Sequence, residues 1–369
     1  MAYSLFMHRR FFIKSCAAAG LAGLAGCFSG GSGRGGLRSR LEAASDEARR
    51  QIADKLIAGA VFAIGNRGPA VALGEQCWSP RHLPMTEASV FDLASVGKTF
   101  TASLCARLVT AGKLDPDAPF TEYLPEHVLA KGNGKITIRD LATHSGGFDN
   151  SKPYQVPDMA KFRRELFAKR PAFARREKFV YSCSNFILLG LVVERLTGEN
   201  LDAAARRLLW GPLGMTQTTW LPVKDNGHVV QFPGPHPIGQ HNDDSCFYSP
   251  DPLGNGSAFS TVGDMRLFVT DLLERRHFPK DHYALLFAPT FEKNGDRRSF
   301  GFDMGDKLRP EGYSRATIFH SGWTGQTIAV DPERGFCGVV LTNRTGDHDE
   351  GARGRARVLS LLAGGKSVS

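Results

Sequence analysis

No stretch of this 369-residue chain holds the roughly twenty consecutive apolar residues that a membrane-spanning helix needs. Cysteine is scarce and scattered, at 16, 27, 77, 105, 183, 246 and 337, with neither the paired spacing of a zinc site nor the density of a disulfide scaffold. That spacing leaves one long-range disulfide open and does not choose it. No internal repeat stands out. No basic stripe interleaved with aromatics is present either, so the net charge of +9 does not point to nucleic acid. Hydrophobic residues make up an ordinary 42%, while 41 Gly and 20 Pro imply many turns rather than disorder.

What is present begins with a local concentration of charge. Arg9, Arg10 and Lys14 precede the first apolar run, at 17–24, and Arg34, Arg38 and Arg40 follow soon after it. Arg9-Arg10-Phe11-Phe12-Ile13-Lys14 resembles the twin-arginine pattern of bacterial export signals, and the run behind it is too short to span a bilayer. It ends in Leu24-Ala25-Gly26-Cys27, which resembles a lipobox, so residues 1–26 are expected to be a signal peptide and Cys27 the lipidated N-terminus. The alternative is an ordinary secretory peptide with an incidental cysteine. Residues 27–36, rich in Gly and Ser, would then tether the domain to a membrane. The expected location is the periplasmic face of a bacterial membrane, the outer one by resemblance because Phe28 rather than Asp follows the cysteine.

The length exceeds what one hydrophobic core organises, which predicts two lobes. Leu41, Ala44, Ala48, Ile52 and Leu56 recur at helical intervals and predict an amphipathic helix over 37–57. Stretches 61–64 and 69–73 flank Asn66-Arg67-Gly68, a hairpin signal. A helix is expected over 95–110, and a helix start at 136–142 runs into a His144-Ser145-Gly146-Gly147 turn. The apolar run 185–196 closes at Gly198, where a left-handed cap costs little. Residues 215–257 are loop-rich and read as the wall of a site. A helix at 261–273, strands at 316–319, 326–330 and 336–341, and a last helix at 350–363 complete the reading.

Ser95-Val96-Gly97-Lys98 places a hydroxyl and an amine on one helical face. A serine hydroxyl needs a base, and lysine serves as one only when desolvation or a second cation holds it neutral. Read alone, Ser95 is a plain N-cap and Lys98 a solvated residue. Tyr181, in Val180-Tyr181-Ser182-Cys183-Ser184-Asn185, changes that reading, because nearby charge from Lys98 and His320 would favour its phenolate. Lys98 and Tyr181 would share the general-base role and later protonate the leaving group. Ser95 at a helix start would also gain backbone donors for an oxyanion.

With these motifs in order, the chain resembles the serine β-lactamase and penicillin-binding superfamily, in its class C-like, esterase and D-aminopeptidase branch. Leu93-Ala94-Ser95-Val96-Gly97-Lys98 resembles the nucleophile motif, and Tyr181-Ser182-Cys183 the tyrosine motif. His320-Ser321-Gly322 takes the place of a Lys-Thr-Gly-like strand. The segment 136–147 resembles a family turn, which makes His144 structural, and 256–265 and 341–344 resemble further family segments. The resemblance spans about 37–363 and implies an α/β fold of the α+β kind, the DD-peptidase/β-lactamase fold. An antiparallel sheet is flanked by terminal helices, with a helical lobe (about 95–265) inserted into a sheet lobe (about 37–94 and 266–363). It also implies a second oxyanion N–H at Trp323, whose indole belongs either to the acyl pocket wall or to the core.

Two departures bear on substrate. Cys183 stands where Asn or Asp is usual, and a thiol is the weaker donor and acceptor. His320 replaces a lysine, and a neutral imidazole cannot hold a β-lactam carboxylate as a permanent cation does. The expected reaction is therefore acyl-enzyme hydrolysis of a small ester, with a D-amino-acid peptide, an amide or weak β-lactam turnover as alternatives. Ser321 and Gly322, being small, would let a substrate backbone approach the strand edge. A non-catalytic cell-wall peptide binder is the competing class. No metal or organic cofactor is implied, His241, Asp243 and Asp244 reading as loop scaffolding. The expected partners are a small ester or short peptide and a membrane reached through the lipid, with the protein a monomer.

Overall fold

Ile57–Ile64 is apolar at every position but Gly59, which suits a strand covered on both faces. In a computed structural model of the chain, which describes residues 36–65, 67–132, 135–151 and 157–365, this stretch is β1, an interior strand of a nine-stranded sheet. The hairpin partner is β2 (Arg67–Cys77), continued by β3 (Leu83–Pro84). Two short strands, β4 (Phe91–Asp92) and β5 (Phe259–Ser260), pair by themselves. The remaining strands are β6 (Phe291–Lys293), β7 (Asp296–Ser299), β8 (Phe302–Asp303), β9 (Ile318–Ser321), β10 (Gln326–Asp331) and β11 (Phe336–Arg344). The large sheet runs β3-β2-β1-β11-β10-β9-β8-β7-β6 and is antiparallel throughout. The two ends of the chain meet at β1 and β11, with Val61 opposite Leu341 and Phe62 opposite Val340.

Side-chain alternation sorts these strands between two cores. Phe62, Ala60 and Val340 pack with Ala44, Ala48 and Leu359 of the terminal helices α1 (Leu37–Ala53) and, at the other end of the chain, His348–Leu362. Val61, Ala63, Val339 and Leu341 face the opposite way, into a core shared with the inserted lobe. That lobe contributes α2 (Lys98–Thr110) and α3 (Cys183–Thr197), while α4 (Val262–Glu274) lies against β1, β10 and β11; the C-terminal helix is α5. Phe100 of α2 meets Trp210, Trp220 and Phe268 edge-on at 5.5, 6.1 and 5.0 Å. Each such contact contributes about 1 kcal/mol beyond area burial. One hydrophobic core therefore runs continuously through both lobes. The expected boundary at 265/266 falls inside α4.

The architecture is the mixed α/β arrangement that the sequence implies, and α3 ends at a left-handed Gly198 as expected. Strands β6, β7 and β8 carry no apolar alternation in sequence and were not foreseen. Their pairing extends the sheet beside β9. The strand read at 316–319 lies two residues later, at Ile318–Ser321. The five described cysteines are free, so none of them forms the disulfide left open by spacing. Cys27, the export signal and the tether (Gly36 apart) lie outside the described residues. Among the described residues no helix is long and apolar enough to cross a membrane.

Candidate active site

The site is built on the turn that carries Ser95. Asp92 is buried and accepts the N–H groups of Ala94 and Asn242, each at 2.8 Å. Burial pushes its acid up to about 6, while those two bonds pull it back. Ala94 sits at φ +43, left-handed for a residue with a Cβ. Its carbonyl accepts from Ser257 N–H at 2.9 Å. Gly256 backs directly onto the turn, since a Cβ there would lie 2.4 Å from the Ala94 carbonyl oxygen. Strain of this kind persists only where surrounding contacts over-determine it. It aims Ser95, in the 3₁₀ turn Ala94–Gly97, rather than in the α-helix that the sequence places over 95–110.

Lys98, first residue of α2, is fully buried, and its Nζ donates to Ser95 Oγ at 3.0 Å and to the Asn255 carbonyl. Tyr181 Oη lies 2.7 Å from Ser95 Oγ. The structure thus brings the three residues together around one oxygen. It does not hold the lysine as expected. Burial opposes the ammonium, but the neighbouring Cys183 and Tyr181 favour it and push the Lys98 amine above its ordinary range. Lys98 is a cation and a donor here, not a neutral base. Its Nζ lies 5.0 Å from the Tyr181 ring centre.

A cavity of about 430 Å³ opens beside this trio, lined by Ser95, Tyr181, His320, Ser321, Gly322 and Trp323 among others. His320 is nearly buried, and burial first, then Lys98 and Arg298, pull its imidazole down to about 3, so it is neutral. Its Nδ1 meets the Ser321 carbonyl at 3.0 Å. Strand β8 pairs with β9 only through Asp303 and Phe319, which leaves the edge of His320 and Ser321 open toward the cavity. Gly322 is small for an additional reason: a Cβ there would lie 2.5 Å from the Leu93 carbonyl, so the strand end packs on the nucleophile turn. Trp323 is 57% exposed and therefore not a core residue. Its ring stacks on His348 at 4.7 Å beneath the Arg344 guanidinium, and it forms the cavity rim. No backbone carbonyl among the described residues takes its N–H.

Cys183, expected in the substrate pocket, is not part of the cavity lining; its Sγ lies 3.8 Å from Lys98 Nζ, and its N–H is held by Asn150 Oδ1 at 3.0 Å. His144 is structural in its contacts. Its Nδ1 meets Ser182 N–H at 3.2 Å and Asn185 Nδ2 at 3.0 Å, and its ring lies 4.6 Å from that of Tyr181. His241 and Asp243 lie in the loop, Asp243 capping the short helix Asp244–Tyr248 that Asp244 begins. Among the described residues no three or more His, Cys, Asp and Glu are grouped to hold a metal.

Sequence reasoning missed Arg298. It lies in the cavity wall, pairs with Asp303 at 3.1 Å and stacks 3.8 Å over the Phe179 ring. Its strand has no apolar signature, so nothing in the sequence singled it out. Asn255, whose carbonyl holds Lys98, was missed because a backbone acceptor has no residue-type signal.

The β-lactamase family model matches residues 44–363, and the chain belongs to that family. It is 29% identical to the N-acetylmuramyl-L-alanine amidase of Bacillus subtilis, over 72% of this chain and 70% of that one. It is 30% identical to esterase EstB of Burkholderia gladioli, over 60% and 61%. Among solved structures it superposes on EstCE1, described as a hydrolase with promiscuous acyltransferase activity, with a TM-score of 0.75 and 20% identity over 89% of this chain and 99% of that one. At that identity the last likeness concerns the fold. Members of this family are serine hydrolases, among them esterases, peptidases and amidases.

Proposed function

We propose that the protein hydrolyses a small ester through an acyl-enzyme on Ser95. The observation that carries this is the Ser95 Oγ held at 2.7 Å from Tyr181 Oη and 3.0 Å from Lys98 Nζ beside an open cavity. Tyr181, as phenolate, takes the Ser95 proton while Oγ bonds to the substrate carbonyl carbon. The carbonyl oxygen becomes an oxyanion between the N–H groups of Ser95 and Trp323. Collapse breaks the carbon–oxygen bond, and Tyr181 returns its proton to the departing alkoxide. Water, deprotonated by Tyr181, then releases the acyl group and restores Ser95. Lys98 remains an ammonium throughout and stabilises the phenolate.

An ester suits the site because the β9 position of a permanent cation is taken by a neutral His320. The open edge at His320 and Ser321 supports a second reading, a short peptide or amide laid along the strand, which the amidase relative shares. The Cys27 lipid anchor and a periplasmic membrane face belong to the same proposal, on the sequence signals alone. A purified protein of residues 37–369 is expected to take a fluorophosphonate adduct on Ser95, mapped by mass. It is expected to turn over p-nitrophenyl esters faster than D-alanyl anilides. Ser95→Ala should lose at least about a thousandfold of that turnover. Full ester and anilide activity in Ser95→Ala overturns the assignment.

A further inference from the structure

Trp323 is the most exposed large hydrophobic side chain among the described residues, at 57%, and it stands at the rim of the reaction cavity. An exposed apolar residue is ordinary on a surface, but this one is fixed in place. It lies in the turn Gly322–Gly325 between β9 and β10, closed by Gly325 N–H on the Gly322 carbonyl at 3.1 Å and by Gly322 N–H on the Gln326 carbonyl at 2.8 Å. Its neighbour Thr324 is buried and donates from Oγ1 to the Asp92 carbonyl at 2.9 Å, which pins the turn to β4 and so to the start of the Ser95 turn. Arg344 Nε donates to the Trp323 carbonyl at 2.8 Å, while the Arg344 and His348 side chains lie against the ring at 4.5 and 4.7 Å. Both belong to one segment, 344–348. The indole is braced from that segment, and more than half of its surface stays open.

The occupant of that surface follows from the direction of the reaction. In the acyl transfer proposed above, the substrate carbonyl oxygen sits on the Trp323 N–H, so the reacting carbon lies beside this residue. The leaving oxygen must face Tyr181, whose Oη is 2.7 Å from Ser95 Oγ and returns the proton. The acyl group is thereby turned away from Tyr181. The lining left beside it is the Trp323 ring, continued by His348 and, one helical turn further along α5, by Ala352. An aliphatic chain gains only contact area from such a ring. A planar aromatic group also gains the offset or edge-on contact between ring quadrupoles.

We propose that the Trp323 indole selects the acyl group, and that the preferred substrate carries a planar aromatic ring on its acyl side. The proposal rests on the ester reading and extends it from the bond that is broken to the group that is carried. The bracing contributes directly: a ring already held by Arg344 and His348 loses little freedom on binding, so ordering does not offset the stacking.

The test uses p-nitrophenyl hydrocinnamate and its analogue with cyclohexyl in place of phenyl. The two share leaving group, spacer and ring size, and differ in planarity. The wild type is expected to favour the phenyl ester in kcat/KM by about 2–12-fold. Trp323→Leu keeps the backbone N–H and removes the ring, so the ratio should fall to about unity, whatever the absolute rate. Trp323→Phe should retain a ratio between the two. Calorimetric binding of the same intact esters to Ser95→Ala, which cannot form the acyl-enzyme, separates this inference from the ester reading. Its dissociation constants should differ in the same sense, and the difference should vanish when Trp323→Leu is added. That binding pattern without turnover of either ester by the wild type upholds the aromatic subsite and overturns the ester reading. Equal kcat/KM together with equal dissociation constants overturns the aromatic preference. A phenyl preference that persists unchanged in Trp323→Leu also overturns it, and assigns the selection to another part of the cavity.

Discussion

Ser95, Lys98 and Tyr181 divide their labour by charge. Lys98 is buried among groups that favour its cation, so it donates to Ser95 Oγ and cannot also withdraw a proton from it. The remaining group within reach is the Tyr181 phenol. Tyr181→Phe removes that oxygen and leaves the ring, including its packing on His144 at 4.6 Å. The expected loss in kcat/KM for an ester is about 10²–10⁴-fold, the usual range for a general base. The melting temperature should move by no more than about 2 °C, since no packing is lost. Steady-state kinetics and a thermal melt check both; an ester rate unchanged in Tyr181→Phe would assign the base to another group.

The turn before α2 shows how backbone, rather than side chains, aims the nucleophile. Ala94 holds a left-handed φ because Asp92 takes its N–H, Ser257 takes its carbonyl, and Gly256 leaves room for both. Gly256 itself lies at φ +141. Gly256→Ala forces a Cβ to within 2.4 Å of the Ala94 carbonyl oxygen, so the turn must shift. A displacement near 1 Å costs about a hundredfold in rate. The expected result is therefore a loss of that order in kcat, with α2 still folded by circular dichroism; a variant with wild-type kcat would show that the turn does not set the geometry. None of this was legible in the sequence, whereas the trio itself was. Ser95 and Lys98 sit three apart on adjoining helical turns, and Tyr181 was legible because its motif had a recognisable order. The strands with near-continuous apolar runs, β1, β10 and β11, were also readable. By contrast β7 and β8 are held by the ladder and by the Arg298–Asp303 pair, so they left no hydrophobic pattern to find. For Trp323 the sequence left pocket wall and core open, and stacking on His348 and Arg344 is what lets this large aromatic stand exposed at the cavity rim.

The molecule as a whole buries histidines as neutral rings. Burial pulls His127 and His241 down to about 4, and His282 and His320 to about 3, and it drives His144 well below the ordinary value. From about pH 6.5 downward each of these rings takes a proton when the chain unfolds but not while it is folded. The unfolded state therefore binds more protons, and stability present above pH 6.5 is lost as pH falls toward the folded values. Asp92 acts in the opposite sense. Its folded acid titrates near 6 against 3.8 in the open chain, so between those values the folded state holds the extra proton. Burial raises Asp264, Asp303 and Glu194 in the same direction. Five histidines outnumber these four carboxyls, and Glu47, Asp117 and Glu350, held low by arginines, act in the histidines' direction, so unfolding near pH 5 takes up protons on balance. Each proton changes stability by about 1.4 kcal/mol per pH unit. Urea unfolding at pH 7, 6 and 5 should thus show a midpoint that falls steeply below pH 6.5. His282 has its Nδ1 buried without a partner and lies among Phe278, Tyr283 and Arg107, far in sequence from the Ser95 turn. His282→Leu should flatten the slope by about one proton while leaving ester turnover unchanged. A midpoint constant from pH 7 to 5, or a His282→Leu slope equal to the wild type, would mean that these rings are charged in the folded protein, and with them the neutral His320 on which the preference for an ester rests.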